Sequence, residues 1–337
     1  MKFFKNKKIL VTGAAGFVGT NLLQALLPLE ANIRAVLHQR ESFIGDPRIH
    51  FIHRDLTSKK DCQEAVADID YIFHCAASTS GAAVIANNPL VHVTPNIIMN
   101  AQLLEAAYHA GVKKFLWIGS STGYPPPGEE YVKEERLMDS DPYDKYFAVG
   151  WMKRYAEVLC RMYAQKLKKT MTTIVLRPTN IYGEYDDFEF ATSHVFAALL
   201  RKVVERHQPI EVWGDGNDVR DLIYVGDFIQ AMLTAMEKVE GYEAFNIGGG
   251  QGYCIRDLLQ QMLEIDGYQD ADIVCDPSKP TMIPIRLVDI SKAKKQLGFV
   301  PTVDLESGIK KTMEWYRSSK ILSSSLKNNK ILAMNRN

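Results

Sequence analysis

The chain has 337 residues, 46% hydrophobic and 24% charged, the profile of an ordinary globular protein with apolar content for about two domains of roughly 150 residues. Forty basic residues balance forty acidic ones, so no global field recruits nucleic acid or anionic lipid, and any anion site must be local. Five scattered cysteines (Cys62, Cys75, Cys160, Cys254, Cys275) lack paired spacing, which argues against a disulfide framework and a metal site and fits a reducing cytoplasm.

Residues 1–8 are basic, but Gly13 interrupts the apolar run that follows, so a signal peptide is not expected. Ile9 to Val11 reads as a buried strand, and Gly13, Gly16 and Gly19 then open a helix with an apolar face of Leu22, Leu23, Leu26 and Leu27. This is the strand, turn and helix of a dinucleotide site. Gly13 serves the tight turn, Gly16 the approach of backbone to a pyrophosphate, and Gly19 close helix packing, with the anion over the free N–H groups at Phe17 and Val18.

Ile33 to Leu37 predicts a second strand, followed by His38-Gln39-Arg40 where an acidic residue would bind a ribose 2′-hydroxyl. Arg40 therefore favours NADP over NAD, as the partner of a 2′-phosphate; its bland alternative is a solvent-facing loop charge. Third and fourth strands are expected at His50 to Ile52 and Ile69 to His74. Their carboxyl ends would place Asp55 and Leu56 beside the adenine, and Ala76 and Ala77 beside the cofactor's ribose and phosphates. Taken singly, Asp55 is also an ordinary helix-start residue. Tyr71 to Leu104 carries no Asp, Glu, Lys or Arg, yet Asn87, Asn88, Pro89, Pro95 and Asn96 exclude a membrane span and suit the wall of a cleft.

Helical segments are expected at Lys59 to Ala67 and Asn96 to Ala110. Lys114 to Gly119 predicts a fifth strand ending in Ser120, Ser121 and Thr122, hydroxyls that either donate to a substrate carbonyl or build a turn. A long helix follows Tyr143, and Ile174 to Arg177 is the sixth strand. From Pro178 the alternation of strand and helix stops, with a helix at roughly His194 to Arg206, a strand at Ala244 to Ile247, a helix at Ile255 to Ile265 and a closing helix at Leu305 to Tyr316. The fold class is α/β: a Rossmann-type doubly wound parallel sheet with a smaller, irregular C-terminal substrate-binding domain. Residues 1–177 plus about 222–247 form the first domain, 178–221 and 248–317 the second, and 318–337 a flexible tail.

Together these motifs resemble the extended short-chain dehydrogenase/reductase family, in its nucleotide-sugar epimerase, dehydratase and reductase branch. The likeness runs from about Lys8 to Tyr316. Its carriers are the Gly13 turn, Asp55-Leu56, Ala76-Ala77, Asn96, the Ser120 cluster, Lys153, Arg177 to Gly183, Arg220-Asp221, and Asp289 to Ala293. It implies NAD(P)-dependent chemistry at a hexose carbon of a nucleotide-linked sugar, as a 4-keto reductase or an oxidation/reduction epimerase, with GDP-sugars favoured. By the same likeness Ser120 donates to the sugar C4 oxygen, and Lys153 holds the nicotinamide ribose and depresses the pKa of a neighbouring acid. His194 is the acid of epimerisation, while Asn180, Trp213 and Arg220 hold the nucleotide-sugar. Asn96 supports the proton relay, and Pro178 lies at the cofactor. The family further implies a cytoplasmic homodimer paired through two long helices. Ser121-Thr122 replace the Asp-Glu pair of the dehydratases.

Two positions depart from the pattern. Val149 stands where the Tyr-x-x-x-Lys pair needs tyrosine, and Thr122 where the GDP-sugar branch has a cysteine base. Tyr146, on the same helix face as Lys153, or Tyr143 or Tyr124 from a loop, is the substitute that spacing offers, although one helical turn moves a hydroxyl by about 5 Å. Thr122 keeps the capacity to hydrogen-bond substrate. The second reading is a cofactor-binding homologue without chemistry, acting as a sensor or an assembly subunit.

Overall fold

The computed structural model describes residues 1–79, 88, 90–128 and 131–334, with side chains described through residue 320. Aliphatic runs bounded by glycine or polar turns form β1 (Lys8–Thr12), β2 (Asn32–Leu37), β3 (Ile49–His53), β4 (Tyr71–His74), β5 (Lys114–Ile118) and β6 (Thr172–Pro178). Three further strands, β7 (Asn180–Tyr182), β8 (Ile210–Trp213) and β9 (Val219–Tyr224), precede β10 (Tyr242–Ile247). Seven of these strands make one parallel sheet in the order β10-β6-β5-β4-β1-β2-β3, the doubly wound α/β arrangement that the sequence predicts. Strand order reverses between β1 and β4, which opens a crevice above their carboxyl ends.

The helices run α1 (Phe17–Leu26), α2 (Lys59–Val66), α3 (Leu90–Ala110), α4 (Phe147–Gln165), α5 (Val195–Val204) and α6 (Val225–Lys238). Alternation along β1 sorts them into layers. Ile9 and Val11 pack with Leu22, Leu23, Phe228 and Met232 from α1 and α6, whereas Leu10 packs with Cys62, Leu103 and Cys160 from α2, α3 and α4.

α3 starts six residues earlier than the sequence suggests. Pro95 lies inside it and has no N–H for the carbonyl of Val91, four residues back. The Ser78 hydroxyl donates to that carbonyl instead, at 2.9 Å, so the helix continues through the proline. Asn87 and Pro89 lie outside the described residues.

The second half is more regular than the sequence reads. β9 pairs with β7, with β11 (Gly252–Cys254) and with β13 (Ile285–Arg286), and β8 pairs with β12 (Ile273–Asp276). Strands as short as β7, β11 and β13, of two or three residues, leave no periodicity to detect, and in β9 Arg220 and Asp221 interrupt the apolar run. Around them lie α7 (Ile255–Asp266), α8 (Ser291–Leu297) and α9 (Leu305–Met334), and Phe196, Leu200, Leu259, Met262 and Ile309 form a separate core. The backbone of α9 runs past residue 317, where composition predicts a tail. No glycine or proline stops it there, and Arg317 and Lys320 pair with Asp266 and Glu205.

Candidate active site

The glycine turn between β1 and α1 fits a dinucleotide by exclusion of side chains. Gly13 has φ +65°, and a Cβ on it would lie 2.7 Å from the backbone of Ala76 at the exit of β4. A Cβ on Gly19 would collide with the Gly13 carbonyl, so α1 could not approach so closely. Gly16 sits at the N-cap with no side-chain cap, which leaves the first N–H groups of α1, at Phe17 and Val18, free for an anion.

A buried chain of hydrogen bonds fixes the crevice from below. Ala76 N–H donates to Thr12 Oγ1 (3.1 Å), the Thr12 hydroxyl to His74 Nδ1 (2.7 Å), and His74 Nε2–H to Asn100 Oδ1 (2.9 Å). Burial pulls the His74 pKa down to about 4, so the imidazole is neutral and structural at physiological pH. Ala77 is exposed beyond it. Asn96 is consumed by backbone: it accepts from Ser78 N–H and donates to the carbonyls of Ser78 and His92.

At the far end of the crevice, His38 and Arg40 are exposed beyond β2, and Leu56 is buried. The Asp55 carboxylate accepts from the N–H and hydroxyl of Thr57, and these bonds lower its pKa. Pro178 closes β6 opposite Ile247.

Ser120 follows β5, next to β4 in the sheet. Its Oγ accepts from the N–H and the hydroxyl of Thr122. Lys153, on α4, donates to the carbonyl of Ile118, two residues before Ser120, at 3.1 Å, and its ammonium lies 4.9 Å from the centre of the Trp117 ring. The side chain is partly exposed, yet the walls around Nζ desolvate it enough to lower its pKa to about 8. Val149, one turn earlier on α4, supplies no hydroxyl.

The tyrosines divide. Tyr124 is fully buried, its hydroxyl bound to Asn246 and Arg177 at 2.6 Å each, and burial raises its pKa to about 12. Its hydroxyl is committed to the core. Tyr146 precedes α4; burial raises its pKa, which Arg220, Arg286 and the Ile283 backbone oppose. Tyr143 packs edge-on against it, with ring centres 6.3 Å apart.

Arg286 is the residue that sequence reasoning missed. In register it stands beside Arg220, because β13 pairs with β9. Arg220 has a counter-ion, Asp218, at 2.8 Å. Arg286 donates only to the carbonyl of Pro125, and its Nε and Nη1 are buried without partners among the described residues. Burial lowers its pKa to about 10, so it remains a full cation at neutral pH. A buried charge without a counter-charge is costly and calls for an anionic ligand.

The remaining expected residues lie around this second domain. Asn180 donates to the carbonyl of Asp221 at 3.0 Å, and Asp221 is itself buried, its pKa pushed up to about 7 against the bonds from Gly249, Thr179 and Gly250. His194 precedes α5 and is exposed, although surrounding protein lowers its pKa, with Asp187 pulling the other way. Trp213, exposed at the end of β8, donates to Glu211 at 2.9 Å.

Residues 9–248 match the model of the NAD dependent epimerase/dehydratase family. The chain belongs to that family. Among its curated relatives, the putative GDP-L-fucose synthase 2 of Arabidopsis thaliana is 29% identical over 320 residues, covering 93% of this chain and 92% of the relative. A dTDP-4-dehydro-6-deoxy-D-allose reductase of Streptomyces is 27% identical, with 93% and 97% coverage. Among solved structures, the UDP-glucose 4-epimerase of Thermotoga maritima with UDP-glucose superposes with a TM-score of 0.83 at 29% identity, covering 92% of this chain and 99% of that one. Family members are NAD(P)-dependent nucleotide-sugar epimerases and reductases. No helix among the described residues is long and apolar enough to cross a membrane.

Proposed function

We propose that this protein is an NADP-dependent reductase acting on the 4-keto carbon of a nucleotide-linked sugar, with GDP-linked hexoses favoured. The observation that carries this reading is the placement of Ser120 and the desolvated Lys153 at the end of β5 while the Thr122 hydroxyl is spent on Ser120. A hydroxyl bound in this way is a poor base for removing a carbon-bound proton, so hydride transfer without epimerisation at neighbouring carbons is the chemistry favoured. Support for the substrate class comes from the names of relatives and from the cationic recess of Arg220 and Arg286, which suits a pyrophosphate.

Nicotinamide, when bound, supplies the hydride. Gly13, Gly16 and Gly19 would cradle its pyrophosphate, Arg40 a 2′-phosphate, and Lys153 its ribose. Ser120 would donate to the ketone oxygen, and the Lys153 ammonium would stabilise the charge developing there and supply the proton that turns the alkoxide into the alcohol, regaining it from solvent. His194, Asn180 and Trp213 hold the sugar and base.

NADPH deuterated at nicotinamide C4, offered with a GDP- or dTDP-linked 4-keto-6-deoxy-hexose, should deliver deuterium to C4, and more efficiently than NADH. In D2O, C3 and C5 should acquire none. Solvent deuterium at those carbons would instead establish an epimerase, and no transfer across a panel of keto-sugars would leave the non-catalytic reading standing.

The assembly we propose is a homodimer. Phe147, Trp151, Tyr155 and Val158 form one exposed apolar stripe along α4, and Ile98 adds to it from the neighbouring α3. A second copy would cover this stripe as a four-helix interface. Trp151→Glu should convert the dimer to a monomer in light scattering; a dimer of unchanged strength would refute the stripe as the contact.

A further inference from the structure

The short turn after β5 is clamped from several sides. A Cβ on Gly150 would lie 2.5 Å from Pro142 Cβ and 2.9 Å from the Thr122 carbonyl oxygen, so α4 presses on the turn as only glycine allows. Arg154 Nε–H donates to the Gly123 carbonyl at 2.7 Å, and the next residue, Tyr124, is anchored in the core by Asn246 and Arg177. The turn therefore has little freedom to reorient Ser120.

Inside it, Ser120 Oγ accepts twice, from Thr122 N–H at 3.1 Å and from the Thr122 hydroxyl at 2.9 Å. A hydroxyl oxygen has two acceptor lone pairs and one hydrogen. Both lone pairs are engaged. The Ser120 hydrogen is the bonding capacity that remains, and it has no acceptor among the described residues.

We propose that Thr122 is a positioning residue whose hydroxyl fixes Ser120 as a pure hydrogen-bond donor, so that the site selects a ligand oxygen able only to accept, a ketone or its alkoxide. This rests on the keto-reductase reading and extends it. Donation from Thr122 also polarises the Ser120 O–H, which strengthens its bond to an oxygen gaining charge. Because that gain comes in the transition state, the benefit falls on kcat more than on KM.

Two variants and one direct measurement test the proposal. Thr122→Val keeps the shape and loses the hydroxyl; kcat should fall about 10- to 100-fold with KM and melting temperature little changed. Thr122→Ser should restore kcat to within a few-fold of the parent. Equal kcat in the valine variant and the parent, or an equal loss in both variants, would overturn the role. Neutron diffraction of the ligand-free protein reads the hydrogens without any turnover. A hydrogen of Thr122 on the line to Ser120 Oγ supports the proposal even if the substrate class is wrong; a hydrogen of Ser120 on that line overturns it even in an active reductase.

Discussion

Arg286→Met should make the ligand-free protein more stable and the loaded enzyme much weaker for its substrate. Among the described residues the buried guanidinium has two nitrogens unpartnered, and the charged residue beside it in register, Arg220, has the same sign. Replacing such a charge by an apolar side chain of similar length removes a desolvation cost of about 1–3 kcal/mol, equivalent to a melting temperature higher by several degrees. Binding should move the other way. Losing a buried contact to a pyrophosphate costs about 2–4 kcal/mol, or roughly 30- to 1,000-fold in the Kd of a nucleotide-sugar. Thermal melts and calorimetry with GDP-sugar read both quantities. A lower melting temperature with unchanged affinity would make Arg286 a purely structural cation.

Lys153→Met should lower kcat by about 10²- to 10⁴-fold, the range for a group that handles charge or protons at the reacting oxygen. The pH dependence carries a definite sign. Because burial lowers the folded-state pKa to about 8 from an unfolded value near 10.5, the folded protein loses this proton first as pH rises. Between these two values the unfolded chain holds more protons, so Lys153 makes the ligand-free protein more stable as pH rises, and its penalty is fully present below about 8. The methionine variant should flatten that segment of the stability profile. In the parent, kcat/KM should decline as pH passes upward through about 8; a profile flat from pH 6 to 9.5 would show that the ammonium is not required.

The parts of this site legible in the sequence are those where one residue type alone meets a local demand. Gly13 and Gly19 are such positions, since a Cβ at either meets backbone. Ser120 drew notice as one of the hydroxyls at the end of a central strand, and Lys153 only through the family resemblance. Asp55 was ambiguous, and its bonds to Thr57 are those of a side chain closing a local turn. Arg286 was invisible, because what singles it out is the absence of a counter-charge among the described residues, a property of the packed chain and not of the segment around residue 286. The two- and three-residue strands of the second half were lost for want of length, β9 because Arg220 and Asp221 break its apolar run, and the true start of α3 because Pro95 reads as a boundary until Ser78 is seen to replace its missing donor.

The bond from the Ser78 hydroxyl to the Val91 carbonyl ties two distant positions into one unit of inheritance. With proline at 95, loss of the Ser78 hydroxyl leaves the Val91 carbonyl to water, at a cost of about 1 kcal/mol. The effect of a change at either position therefore depends on the residue at the other.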